Sequence, residues 1–133
     1  MTAPADPTKP GSGRDWLNHA ASDLRFARLG LADPDVMRNQ VAFHAQQAAE
    51  KSLKAVLVDQ SLRFPRTHDL AALVEMLQLA GVPLPATIQI EALTPFAVET
   101  RYPGVFAQVT TQEAGAAIDS ATAVFEWASQ FIK

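Results

Sequence analysis

Arg101 and Tyr102 stand side by side ahead of Pro103 and Gly104, where no helical or strand period gives a cation and a bulky aromatic ring a reason to be. A guanidinium offers forked donors suited to phosphate or carboxylate, and a tyrosine ring can stack on a base or fill a pocket of a partner. Loops on rigid scaffolds often carry function, so one reading of this pair is recognition of a nucleotide or of a partner chain. The other is structural: Tyr102 plugs an edge of the core and Arg101 caps a helix C-terminus. A second candidate surface is the polar face formed by Gln47, Lys51 and Lys54, which can meet phosphate or a partner or stay solvated. Of the three histidines, His44 reads as a helix residue bonded to a neighbour, and His68 as support for a helix start beside Asp69. With His19 they are too scattered to form a metal set, and the absence of cysteine excludes disulfides and cysteine-based zinc sites.

The elements that position these residues must come from one core, which is what 133 residues with 48% hydrophobic content can bury. A formal charge of -3 gives no global basic field, so any contact with RNA has to be local. The N-terminal segment lacks an apolar h-region, and no later stretch approaches the roughly eighteen consecutive apolar residues of a membrane span. The expectation is a soluble, unexported, cytoplasmic protein with no membrane contact. Residues 1–13, rich in Pro, Gly, Ser and Thr, read as a flexible lead-in, and 14–133 as a single helical domain.

Trp16, Ala20, Leu24, Ala27 and Leu31 recur at three- and four-residue steps and predict a first helix from Asp15. Asp33-Pro34 should open the second, running to about Asp59 with Val41, Ala45, Ala48, Leu53, Val56 and Leu57 facing a core and Gln47, Glu50, Lys51 and Lys54 outside. Residues 61–66 read as a loop, with Thr67 capping a third helix that carries Leu70, Leu73, Val74, Leu77 and Ala80 and stops at Gly81 and Pro83. Ile88, Ala92 and Leu93 suggest a fourth helix after Pro85, broken or kinked at Pro95 with Thr94 capping the restart. Thr110 and Glu113 form a capping-box signature for a last helix through Ala114, Ala117, Ile118, Ala121, Phe125 and Ala128. The fold class is therefore all-α, an antiparallel bundle of four to five helices.

Four segments in this order carry a resemblance: Asp15-Trp16 with Ala20 and Asp23-Leu24; the run from Phe43 to Ala55, FHAQQAAEKSLKA; Thr67-His68-Asp69-Leu70; and Thr100-Arg101-Tyr102-Pro103. Together they look like the prokaryotic HEPN domain, over roughly residues 14 to 132, and the FHAQQAAEKSLKA run is the specific element. The resemblance implies a homodimer and a separate minimal nucleotidyltransferase as partner. It also suggests that the second helix folds beside the Arg101-Tyr102 bend, which brings in Lys51; Gln47 and His68 complete the candidate nucleotide- or partner-binding residues. No cofactor is required on this reading, and ATP or another nucleotide is the candidate ligand.

Catalytic branches of that wider family are metal-independent ribonucleases in which His follows Arg after four to six residues. A His can move protons at the ribose 2'-hydroxyl while an Arg stabilises the phosphate in the transition state. Here the spacing occurs three times, at Arg14/His19, Arg38/His44 and Arg63/His68, while Arg101 has no following His. Arg38/His44 is the best of the three because both fall on one predicted helix, yet six positions apart they lie on roughly opposite sides of it. The leading expectation is a dimeric binding and regulatory module working with a nucleotidyltransferase. Its setting would be a toxin–antitoxin pair, or a two-chain enzyme in which this chain is the nucleotide- or substrate-binding subunit and is not an enzyme on its own. The alternative is a metal-independent endoribonuclease toxin using Arg38 and His44, with RNA as partner.

Overall fold

Leu17, Ala20, Leu24 and Ala27 are all buried, and this stripe fastens α1 (Gly13–Ala32) to its neighbours. In the computed structural model, which describes residues 10–97 and 108–132, it is followed by α2 (Arg38–Asp59), α3 (Leu70–Leu79) and α4 (Thr111–Ser129). Two short 3-10 turns, Ile90–Ala92 and Thr94–Phe96, lie between α3 and α4, and the described residues contain no strand. The architecture is an all-α bundle.

Helix α2 is the centre of that bundle. It packs on α1, on α4, on α3 and on the second 3-10 turn. The predicted core positions Val41, Ala45, Ala48, Leu53, Val56 and Leu57 are all buried. Alanines on three helices, among them Ala20, Ala27, Ala42, Ala49, Ala117 and Ala121, let backbones approach closely. Gly30 marks the tightest point, since a Cβ there would stand 3.0 Å from Val41 Cγ2 and 3.2 Å from Val36 Cγ1. Arg14 reaches the Ile132 carbonyl near the end of α4, and Arg28 reaches Thr122 in its middle, so α1 runs antiparallel to α4.

Helix α1 begins two residues before Asp15. Ser12 accepts from the Asp15 amide as its N-cap, so residues 12 and 13 belong to the folded unit and not to a lead-in. Asp33-Pro34 does not open α2. The Asp33 side chain accepts from the Asp35 amide and its carbonyl from Val36, making a tight turn, and α2 starts only at Arg38. Likewise the cap of α3 is Asp69, which accepts from the amides of Ala71 and Ala72, while Thr67 accepts from Asp69 one step upstream. The helix expected after Pro85 is reduced to the two 3-10 turns. Pro83, Pro85 and Pro95 interrupt the donor series an α-helix needs, and two 3-10 turns suffice to bury Leu93, which joins them, and Phe96. Thr94 donates to the Ile90 carbonyl instead of capping a restart. The capping box at α4 is present in both directions, with Thr110 accepting from Glu113 N at 3.0 Å and Glu113 from Thr110 N at 3.1 Å.

Two helix ends close with the same device. After α3, Val82 N donates to Leu77 O and Gly81 N to Gln78 O, with Gly81 in the left-handed region at φ +83°. After α2, Leu62 N donates to Leu57 O and Ser61 N to Val58 O, but the left-handed residue is Ser61, at φ 58°. A serine there carries a Cβ penalty that glycine lacks. Ser61→Gly is expected to raise stability by about 0.5–1 kcal/mol, read as a higher urea midpoint with an unchanged slope; a lower midpoint would contradict this account of the turn.

Candidate functional site: two carboxylate-anchored histidines on α2

Positions 46, 50 and 54 recur at the four-residue step and form one row on α2, and positions 44, 47 and 51 form the row beside it. The second row is half-buried, as a polar face at the edge of a bundle should be. The first is buried. Gln46 is fully enclosed, Glu50 is 3% exposed and Lys54 7%, which overturns the expectation that Glu50 and Lys54 face solvent. The reason lies in the loop joining α2 to α3, which folds back over this row. Phe64 from the loop packs edge-on against Trp16 of α1 at 6.1 Å. Lys54 Nζ sits between those two rings, 5.6 Å from Trp16 and 5.5 Å from Phe64.

Burying a lysine and a glutamate is costly unless each is paired and the remaining polar atoms are satisfied. Both conditions hold. Lys54 donates to Glu50 Oε2 at 3.1 Å, the predicted i,i+4 pair. Glu50 Oε1 accepts from His68 Nδ1 at 2.8 Å and from Gln46 Nε2 at 3.3 Å. Gln46 also donates to the His68 carbonyl, and Gln47 donates to Gln46 Oε1. No buried side-chain nitrogen or oxygen among the described residues lacks a partner. His68 itself has a side chain 68% exposed, so a buried network ends on an imidazole that faces water. His68 directly precedes Asp69, the N-cap of α3, and its ring is held by Glu50 of α2.

A second cluster lies on the α1 side of α2. Asp23 accepts from Lys51 Nζ at 2.6 Å and pairs with His44 Nδ1 at 3.3 Å. The His44 ring lies 4.5 Å from that of Phe26 and 5.5 Å from that of Phe43. The structure therefore unites the predicted residues Lys51 and His44 through Asp23, and Gln47 and His68 through Gln46 and Glu50. Arg101 and Tyr102 lie outside the described residues.

The three Arg/His spacings do not produce three dyads. Arg14 binds the Ile132 carbonyl, whereas His19 is exposed beside Asp15 at 3.6 Å. Arg38 turns back across the α1–α2 turn and donates to the carbonyls of Gly30, Leu31, Asp33 and Val36. The first two belong to the last turn of α1, where Gly30 O also accepts from the Asp33 amide, where a cation is favoured and where α1 has no basic residue of its own. His44, two turns further along α2, is held by Asp23. Arg38 and His44 thus have separate partners along the α1–α2 contact and do not converge.

Asp23, Gln46 and Glu50 were not singled out as site residues from the sequence. The signal for Gln46 and Glu50 was their step with Lys54 among alanines; for Asp23, which belongs to α1, no spacing pointed to Lys51 or His44. Among the described residues, no group of three or more His, Cys, Asp or Glu side chains stands together as a metal set, and no helix is long and apolar enough to cross a membrane.

Comparison with known proteins follows the same lines. No sequence among the curated proteins matches the chain. Among solved structures, TT1696 from Thermus thermophilus is 26% identical over 92% of this chain and 100% of its own, with a TM-score of 0.69. ST0689, described as an archaeal HEPN homologue, is also 26% identical, over 92% of this chain and 98% of its own, with a TM-score of 0.69. The HEPN domain profile matches residues 14–131, nearly the whole helical unit, and the chain accordingly belongs to the HEPN domain family.

Proposed function

We propose that this HEPN domain is a binding and regulatory module, acting as a homodimer with a separate minimal nucleotidyltransferase, in a toxin–antitoxin pair or as the nucleotide- or substrate-binding subunit of a two-chain enzyme. The observation that carries the reading is the position of Arg38. Its guanidinium is occupied by four backbone carbonyls, and it stands apart from His44, so the best Arg/His spacing in the sequence supplies a helix cap in place of a phosphate clamp. The surface it leaves is one for contact: Phe26 is 55% exposed beside His44, and Leu29 and Met37 are exposed at the same end of the α1–α2 pair. Such side chains suit a face that a second copy covers.

Light scattering at micromolar concentration is expected to give a dimer, and a monomer would refute that part of the reading. Single-stranded RNA should survive incubation with the purified chain. Metal-independent cleavage lost in both folded variants, Arg38→Ala and His44→Ala, would instead establish the ribonuclease alternative. Calorimetry with ATP, and separately with the neighbouring nucleotidyltransferase, tests the ligand; losing the Arg101 guanidinium should weaken binding by about 1–3 kcal/mol. If Arg101→Ala and Tyr102→Ala bind like wild type but melt earlier, those residues are braces of the fold.

A further inference from the structure

The network behind His68 is built more heavily than the support of one loop requires. A histidine that merely braces a helix start could be buried and neutral, at no expense of enclosing a Lys–Glu pair. Here Glu50 is nearly inaccessible and fixed by Lys54 and Gln46, while the ring it holds is 68% exposed. A carboxylate that accepts from Nδ1 selects the tautomer with the proton on Nδ1, leaving the Nε2 lone pair as the basic and nucleophilic atom. No hydrogen bond or ion pair to Nε2 is formed within the described residues. The loop that leads to His68 also exposes Arg63 and Arg66, neither of them in an ion pair among the described residues, and carries no acidic residue between Asp59 and Asp69. Phe64, seated on Trp16 and Lys54, and the Gln46 bond to the His68 carbonyl fix that loop to the bundle. Asp69, the carboxylate next in sequence, is engaged with the first amides of α3.

We propose that His68 Nε2 is a phosphoryl-acceptor site, taking a phosphoryl group from a small anionic donor of the phosphoramidate or acyl phosphate class. The two arginines draw the donor to the loop, and the Nε2 lone pair attacks phosphorus. With phosphoramidate, the new N–P bond forms as the donor's P–N bond breaks, and ammonia departs with that electron pair. The imidazole becomes a phosphorylated cation with its Nδ1 proton still directed at Glu50, whose carboxylate stabilises the charge that appears during transfer. Glu50 is in this scheme a positioning residue. The inference rests on the Glu50–His68 geometry and is independent of any nucleotidyltransferase partner.

The chain provides its own controls, because His19 has a side chain 63% exposed without a buried carboxylate behind it, and His44 is 24% exposed. Intact protein is incubated with phosphoramidate, and the sites are mapped by peptide mass spectrometry and 31P NMR. The expected result is a single acid-labile phosphoryl group on Nε2 of His68, formed on the order of tenfold faster than at His19, the lower end of what a local field of one sign supplies. The product should be absent in His68→Gln and slowed in Arg63→Ala with Arg66→Ala. Labelling of His19 as fast as His68, or a product on Nδ1 of His68, overturns the proposal; the second outcome is read on the wild type and needs no variant to fold.

Discussion

Glu50→Ala is expected to destabilise the domain by about 3–5 kcal/mol, the range for breaking a buried ion pair by removing one partner. The variant leaves Lys54 enclosed between Trp16 and Phe64 with its charge uncompensated, and removes the acceptor shared by Gln46 and His68. Against a total stability of roughly 5–15 kcal/mol, that loss brings the domain close to unfolding at room temperature. The same physics predicts the rescue. Glu50→Leu combined with Lys54→Met removes both charges and keeps the volume, and should fall within about 1 kcal/mol of wild type, because an apolar pair of similar size often equals or exceeds a buried salt bridge. Urea unfolding of the single and double variants decides the matter: an additive double variant would mean that the pair does not interact as its 3.1 Å contact indicates.

Arg38→Ala should lower stability by roughly 2–3 kcal/mol, the scale of hydrogen bonds made by a charged donor. The effect arises at the C-terminus of α1, where the Leu31 carbonyl loses its side-chain partner, Gly30 O keeps only the Asp33 amide, and the tight turn through Asp33 and Val36 loses its clamp. Arg38→Lys should recover less than half of the loss, since one ammonium cannot span four acceptors that a planar fork reaches together. Thermal melts read the ranking. A variant that melts like wild type would show that the guanidinium is not the cap of α1, and would release Arg38 for the catalytic role that its present geometry denies it.

Most of α1, of α2 and of α4 could be read directly from residue order. Their apolar residues repeat at the helical step over many turns, and Thr110 with Glu113 marks a start through contacts confined to four neighbouring residues. The family resemblance rested on four segments in combination, with the run in α2 as its specific element. Connections were less legible: Asp33 and Thr67 are good helix-opening residues, yet Asp33 is engaged in the tight turn with Asp35 and Val36, so that α2 opens at Arg38 without a side-chain cap, and at α3 Asp69 accepts from the first amides. The site depended on distance in sequence. Asp23 meets His44 and Lys51 only because α1 and α2 cross at the close approach that Gly30 and the alanines permit. Glu50 and Lys54 carry charges that a periodic reading assigns to solvent. They are buried because Phe64 and Trp16, one on a loop and one on another helix, close over them. Residue order fixes which side of a helix a side chain leaves from; whether water or another segment waits on that side is decided by the packing of chain that is remote in sequence.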